Sequence, residues 1–109
     1  MSYKVETTHN FDQEAKRLSR KYKSLKSEIA NLVSQLEKNP TTGTPLGNNI
    51  FKIRMAIASK GRGKRGGARV MSYVKIINET VYLFSIYSKG EKDDISNEEI
   101  RKLIKTITG

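Results

Sequence analysis

Residues 51–87 read FKIRMAIASKGRGKRGGARVMSYVKIINETVYLFSIY, and this stretch decides the fold. Phe51, Ile53, Met55 and Ile57 alternate with Lys52, Arg54 and Ala56, the two-residue period of a half-buried strand. Ser59 to Gly67 (SKGRGKRGG) holds four glycines, four basic residues and no apolar side chain, so it reads as a loop. Ala68 to Ile76 and Thr80 to Tyr87 are rich in Val, Ile, Tyr and Phe and read as two further strands. A tight turn at Asn78-Glu79 joins them. Three consecutive strands without crossover helices imply an antiparallel meander.

Working outward, Tyr3 to Thr7 reads as a short strand. Asn10 is placed to cap a helix, with Gln13 as its reciprocal partner. Phe11, Ala15, Leu18 and Tyr22 recur at helical spacing, and Leu25, Ile29, Leu32, Val33 and Leu36 do so again in a second helix beginning near Ser24. The junction is so short that an antiparallel helical hairpin follows. Asn39-Pro40 ends it, and Thr41 to Asn49 is a loop with turn-forming Gly43, Pro45 and Gly47. Beyond the meander, Ser96 and Glu99 form a capping box, and Ile100, Leu103, Ile104 and Ile107 stripe a last helix, expected at an edge or on the other sheet face. The expected class is α+β, order β-α-α-β-β-β-α, an antiparallel sheet with the helical hairpin on one face, in a single domain spanning 1–109.

The chain has 109 residues and a net charge of +10. Residues 1–37 carry seven basic and five acidic side chains, residues 38–78 nine basic and none acidic, and residues 79–109 five basic and six acidic. Nearly all the excess therefore lies in the middle third, a local electrostatic footprint of the kind phosphates select. There is no cysteine, which excludes disulfides and thiolate metal sites. No run approaches the ~20 apolar residues of a membrane span. The opening Met1 to Glu6 has no apolar signal core, so a cytoplasmic location is expected.

Strand alternation gathers the chemistry. Lys52 and Arg54 point away from the core together, and Arg69, Met71, Tyr73 and Lys75 share the corresponding face of the next strand. A two-residue turn would set Arg69 opposite Ser88 and Tyr73 opposite Phe84. Lys52, Arg54, Arg69 and Tyr73 would then form an exposed phosphate clamp beneath the basic loop. Lys60, Arg62, Lys64 and Arg65 of the loop, with Lys89 at the strand end, are expected to bind RNA. The loop's glycines allow mobility and close approach to a nucleic-acid backbone. GRGKRGG lacks the Gly-Lys-Ser/Thr ending of a nucleotide-binding loop, and a strand follows it rather than a helix. His9 has no second histidine or cysteine to share a metal and reads as a surface or capping residue. Glu91, Asp93 and Asp94, interrupted by Lys92, read as structural, so neither metal nor cofactor is expected.

The K-I-R strand at 52–54, the S-K-G-x-G-K-R-G-G-x-R run from Ser59 to Arg69 and the K-x-E-K run from Lys89 to Lys92 together resemble the HigB branch of the RelE/ParE toxin superfamily. The resemblance covers nearly the whole chain. It implies a toxin of a type II toxin–antitoxin pair. RelE-like members cut messenger RNA on the ribosome by attack of a ribose 2′-hydroxyl on the adjacent phosphate, without metal. ParE relatives instead inhibit DNA gyrase, and a non-catalytic RNA- or ribosome-binding module is a third reading. The family's cations map onto Lys52, Arg54 and Arg69, with Lys89 and Lys92 from the K-x-E-K run. Catalysis is thus expected of Lys52, Arg54, Arg69, Tyr73 and Lys92. Where the family has a tyrosine near its C-terminal end, this chain has Ser96, and Gly90 stands at a family arginine. A lysine among cations is then a candidate base, and Tyr73 a candidate for orienting the 2′-hydroxyl. The implied partners are an antitoxin, with an acidic or amphipathic segment over the basic face, and the ribosome with its messenger RNA.

Overall fold

A computed structural model describes residues 2–61, 66–92 and 94–108. Its elements are β1 (Lys4–Thr7), α1 (His9–Lys21), α2 (Leu25–Lys38), β2 (Thr44–Pro45), β3 (Ile50–Met55), β4 (Ala68–Lys75), β5 (Thr80–Ser88) and α3 (Asn97–Thr108). The strands form one mixed sheet in the order β1-β5-β4-β3-β2. β3, β4 and β5 are the expected antiparallel meander. At one edge β1 runs parallel to β5, and at the other the two-residue β2, inside the expected loop, pairs with β3. Among the described residues no helix is long and apolar enough to cross a membrane.

Two cores lie on the two faces of this sheet. Under the α1–α2 hairpin, Phe11, Leu18, Leu25, Leu32 and Leu36 pack against Ile53, Met55, Val70, Val74, Val81, Leu83 and Ile86. On the other face α3 contributes Ile100, Leu103, Ile104 and Ile107 over Met71, Tyr73, Phe84 and Tyr87. Half of the expected capping box starts α3: Glu99 N–H donates to Ser96 Oγ at 3.1 Å, while the Glu99 carboxylate pairs with Lys92 Nζ at 2.8 Å. α1 starts earlier than its sequence signal: Thr8, not Asn10, is the cap and accepts from Phe11 N–H at 3.2 Å.

Asn10 and Glu14, one helical turn apart, do something else. Glu14 Oε1 accepts from Asn10 Nδ2 (2.9 Å), Ser85 Oγ (2.9 Å) and Ile86 N–H (3.1 Å), while Asn10 Nδ2 also donates to Phe84 O (2.9 Å). These contacts clasp a β-bulge in β5 opposite Met71/Ser72. A bulge frees ladder groups that then need partners, and α1 supplies them. The extra residue changes which side chains of β5 meet α3.

The β4–β5 connection is longer than the expected two residues. Ile76–Asn78 form a 3-10 turn and Glu79 sits at φ 48°, so Lys75 pairs Thr80. Ile76, expected as the last residue of the strand from Ala68, falls in the turn instead and is 62 % exposed. Tyr73 stands opposite Tyr82 rather than Phe84, and beyond the bulge Arg69 stands opposite Tyr87 rather than Ser88.

Candidate functional site

The register assembles a row across three strands. Arg54 on β3 pairs Arg69 on β4, and Arg69 pairs Tyr87 on β5. Like charges directly opposite one another across strands are destabilising, and the adjacent arginines make this row a candidate anion site. Lys52 lies one alternation away on β3, paired with Met71.

Behind β5 the chain turns back, Glu91 and Lys92 N–H donating to Ser88 O. This brings Lys92 Nζ to 5.6 Å from the Tyr87 ring centroid, where it also pairs with Glu99 at 2.8 Å. Asp94 then closes the cluster. Its Oδ1 accepts from Ile95 N–H at 2.9 Å and from the Tyr87 hydroxyl at 3.4 Å, and lies 3.6 Å from Lys52 Nζ.

Exposure divides the row. Arg54 is exposed, as expected for the clamp. Arg69 is not: it is 6 % exposed, with Nη1 donating to Ala68 O at 3.2 Å. Its guanidinium is held by its surroundings, an arrangement that fixes direction. Tyr87 is 2 % exposed. Burial first, then the Asp94 carboxylate beside it, pushes the phenol up to about 12, against a smaller opposing pull from Arg69. Tyr87 is therefore neutral near pH 7. The Ile95 N–H, helped by Lys52 and Tyr87, holds the Asp94 carboxyl below its usual range.

The structure thus brings Lys52, Arg54, Arg69 and Lys92 together. It does not bring Tyr73, which lies four residues from Arg69 on β4, about 13 Å at ~3.3 Å per residue. Tyr73 packs against Tyr82 (ring centroids 6.5 Å apart) and against α3. The phenol of the cluster is Tyr87, which the sequence places only at the end of the strand from Thr80 to Tyr87. The signal was a polar-tipped aromatic two residues before the K-x-E-K run. Asp94, expected to be structural, is the contact joining Tyr87 to Lys52.

The basic loop divides as well. Ser59 and Lys60 belong to a 3-10 turn, Ala58–Lys60. α2's start bolts it down through Ser59–Ser24 hydrogen bonds and Ala58 N–H to Glu28 Oε2 at 2.6 Å. Lys60 Nζ donates to Ser88 Oγ at 2.9 Å, on the hairpin side of the sheet, and Lys89 follows Ser88 there. Arg62, Lys64 and Arg65 lie outside the described residues. Gly67 serves a close approach of protein to protein, since a Cβ there would collide with the Met55 carbonyl oxygen. Among the described residues no group of three His, Cys, Asp or Glu side chains is placed to hold a metal ion.

Residues 4–108 match the family model for the RelE toxin of the RelE/RelB toxin–antitoxin system. The fold is similar to that of a double arginine mutant of the E. coli toxin RelE in the free state, at TM-score 0.65 and 14% identity, covering 98% of this chain and 99% of that one. It is also similar to the toxin–antitoxin complex RelBE2 from Mycobacterium tuberculosis, at TM-score 0.60 and 17% identity, covering 81% of this chain and 92% of that one.

Proposed function

Since the chain belongs to the RelE family of toxins from toxin–antitoxin systems, we propose that it is an endoribonuclease that cuts messenger RNA on the ribosome. The observation that carries this reading is the row Arg54–Arg69–Tyr87, flanked by Lys52 and Lys92. In-line attack of a 2′-hydroxyl on its neighbouring phosphate forms the O2′–P bond and breaks P–O5′, leaving a cyclic phosphate and a 5′-hydroxyl end. Charge grows on the phosphoryl oxygens, where Arg54, Arg69 and Lys52 act. The leaving O5′ needs a proton, and the neutral Tyr87 phenol supplies it. The 2′-proton needs an acceptor, and a lysine of the cluster is the candidate base. No cofactor is invoked. The site of action is the cytoplasm, where ribosomes are.

The partner that silences such a toxin is an antitoxin whose acidic or amphipathic segment lies over the basic face. Charge steering then makes association slow down as salt rises.

Primer extension on messages from cells induced for the protein tests the reading. Breaks inside translated regions are expected, lost when Arg69 is changed to Ala. Growth arrest with intact messages would overturn it, and arrest with loss of DNA supercoiling would assign the chain to the gyrase-inhibiting branch.

A further inference from the structure

On the hairpin side of the sheet, directly behind the arginine row, a cleft of about 780 Å³ opens between the end of α1 and the end of β5. Its size falls in the ~300–1,000 Å³ range of ligand sites. Lys21, Tyr22, Lys60, Ser88 and Lys89 line it, together with Glu91, whose carboxylate is occupied by Arg17 at 2.8 Å.

The polar groups here are ordered by one another. Lys60 donates to Ser88 Oγ at 2.9 Å, and Lys60 and Lys21 hold their ammoniums 5.6 and 5.5 Å from the Tyr22 ring centroid. The Ser88 side chain beside it lowers the Tyr22 phenol from its usual value; burial acts the other way, and the Lys60 and Lys21 charges lower it further. A neutral phenol can donate one hydrogen bond to an anion. The 3-10 turn carrying Lys60 is fixed to Ser24 and Glu28, so the ammonium is positioned before any ligand arrives. Three ammoniums and a phenol facing a cleft whose carboxylate is neutralised select an anion with several acceptor oxygens.

We propose that this cleft binds a phosphodiester group of RNA, a second phosphate-binding subsite beside the cleavage row. Tyr87 and Ser88 are consecutive on β5, so their side chains leave opposite faces. A strand whose scissile phosphate lies on Arg54–Arg69 passes round the end of the sheet and seats another phosphate on Lys60, Lys89 and Lys21. The placement beside a cleavage row rests on the function proposed above; the binding of the anion does not.

The test titrates the full-length protein with a short RNA whose 2′-hydroxyls are methylated, so that binding is read without cleavage. Amide and ring NMR shifts of Tyr22 and Ser88 report the cleft. Saturable shifts there are expected. Lys60→Gln should weaken binding about tenfold, as loss of one charged hydrogen bond does. It should also reduce the salt slope by about 0.7, one phosphate's share on a single strand. Tyr22→Phe keeps the packing and should weaken binding without changing that slope. Lys38→Gln, an equal change of charge at the far end of α2, should leave the cleft shifts intact. Shifts absent from Tyr22 and Ser88, or a Lys60→Gln variant that binds like the parent, would overturn the subsite even if the protein cuts messenger RNA. Cleft binding in a protein that never cuts would leave the subsite standing and remove only the nuclease reading. Ribosome co-sedimentation separates the sources: lost binding in Lys60→Gln points to ribosomal RNA, whereas normal binding with a raised KM for message points to messenger RNA. Either supports the site.

Discussion

Tyr87→Phe tests the centre of the cluster, because one hydroxyl is removed and the ring packing is kept. The phenol ionises at about 12 in the folded protein against 10.0 ordinarily. An acid whose pKa is raised by folding contributes stability that is complete below its unfolded value and is lost as pH climbs through its folded one. For Tyr87 that window runs from about pH 10 to about pH 12, and two units correspond to roughly 2.7 kcal/mol. The group is almost fully buried, so little solvent screening reduces this figure. Near neutral pH the variant loses only a long hydrogen bond to Asp94, 3.4 Å, worth about 1 kcal/mol or less. The parent should therefore be slightly more stable at about pH 9 and less stable than the variant, by about 2 kcal/mol, near pH 12. Urea unfolding of both proteins across that range measures the difference, in which the titration of all other groups cancels. Asp94→Asn removes the second cause of the shift and should narrow the window from above. The same Tyr87→Phe change should slow RNA cleavage by about a hundredfold or more, the usual scale for a lost general acid. A stability difference that stays flat with pH would show that Tyr87 ionises normally, and the case for a buried, Asp94-held proton donor would fail.

Arg54→Ala and Arg69→Ala should each cut cleavage by about a hundredfold but part company in thermal melting. Exposed Arg54 should cost within about 0.5 kcal/mol and buried Arg69 about 2 kcal/mol; equal melting temperatures would contradict the burial of Arg69. Glu14→Ala strips partners from Ile86 N–H and Ser85 Oγ and should cost about 2–3 kcal/mol in urea unfolding. A loss under about 0.5 kcal/mol would mean that α1 does not hold the bulge.

Much of this molecule is legible in its sequence wherever one short-range rule decides. The period of α2's stripe, the alternation of β3 and the Ser96 cap of α3 each act within a few residues, and each appears where expected. Lys52 and Arg54 share a face for the same reason. The misses all depend on distant partners. The bulge in β5 exists because Asn10 and Glu14, more than seventy residues earlier, satisfy the groups it frees. Nothing local in TVYLFSIY announces it. The register of Arg69 and Tyr73 then inherits two displacements, one from the longer turn and one from the bulge. Tyr87 was hidden because β5 is buried on both faces, which erases the alternation that distinguishes a core aromatic from a site aromatic.

The charge pattern carries a further lesson about distance along the chain and distance in space. Residues 38–78 contain no acid, yet Lys52 meets Asp94, and Lys92, beyond that stretch, meets Glu99. The acids of the following segment fold back over the cations, and a reading by sequence block cannot register that. Their pairing is weak by construction. Asp94 is 66% exposed and stands 3.6 Å from Lys52, the geometry of a pair worth at most about 1 kcal/mol. On the proposed function, a phosphate arriving at Lys52 meets little competition from this carboxylate, because giving up so exposed a pair costs about 1 kcal/mol or less.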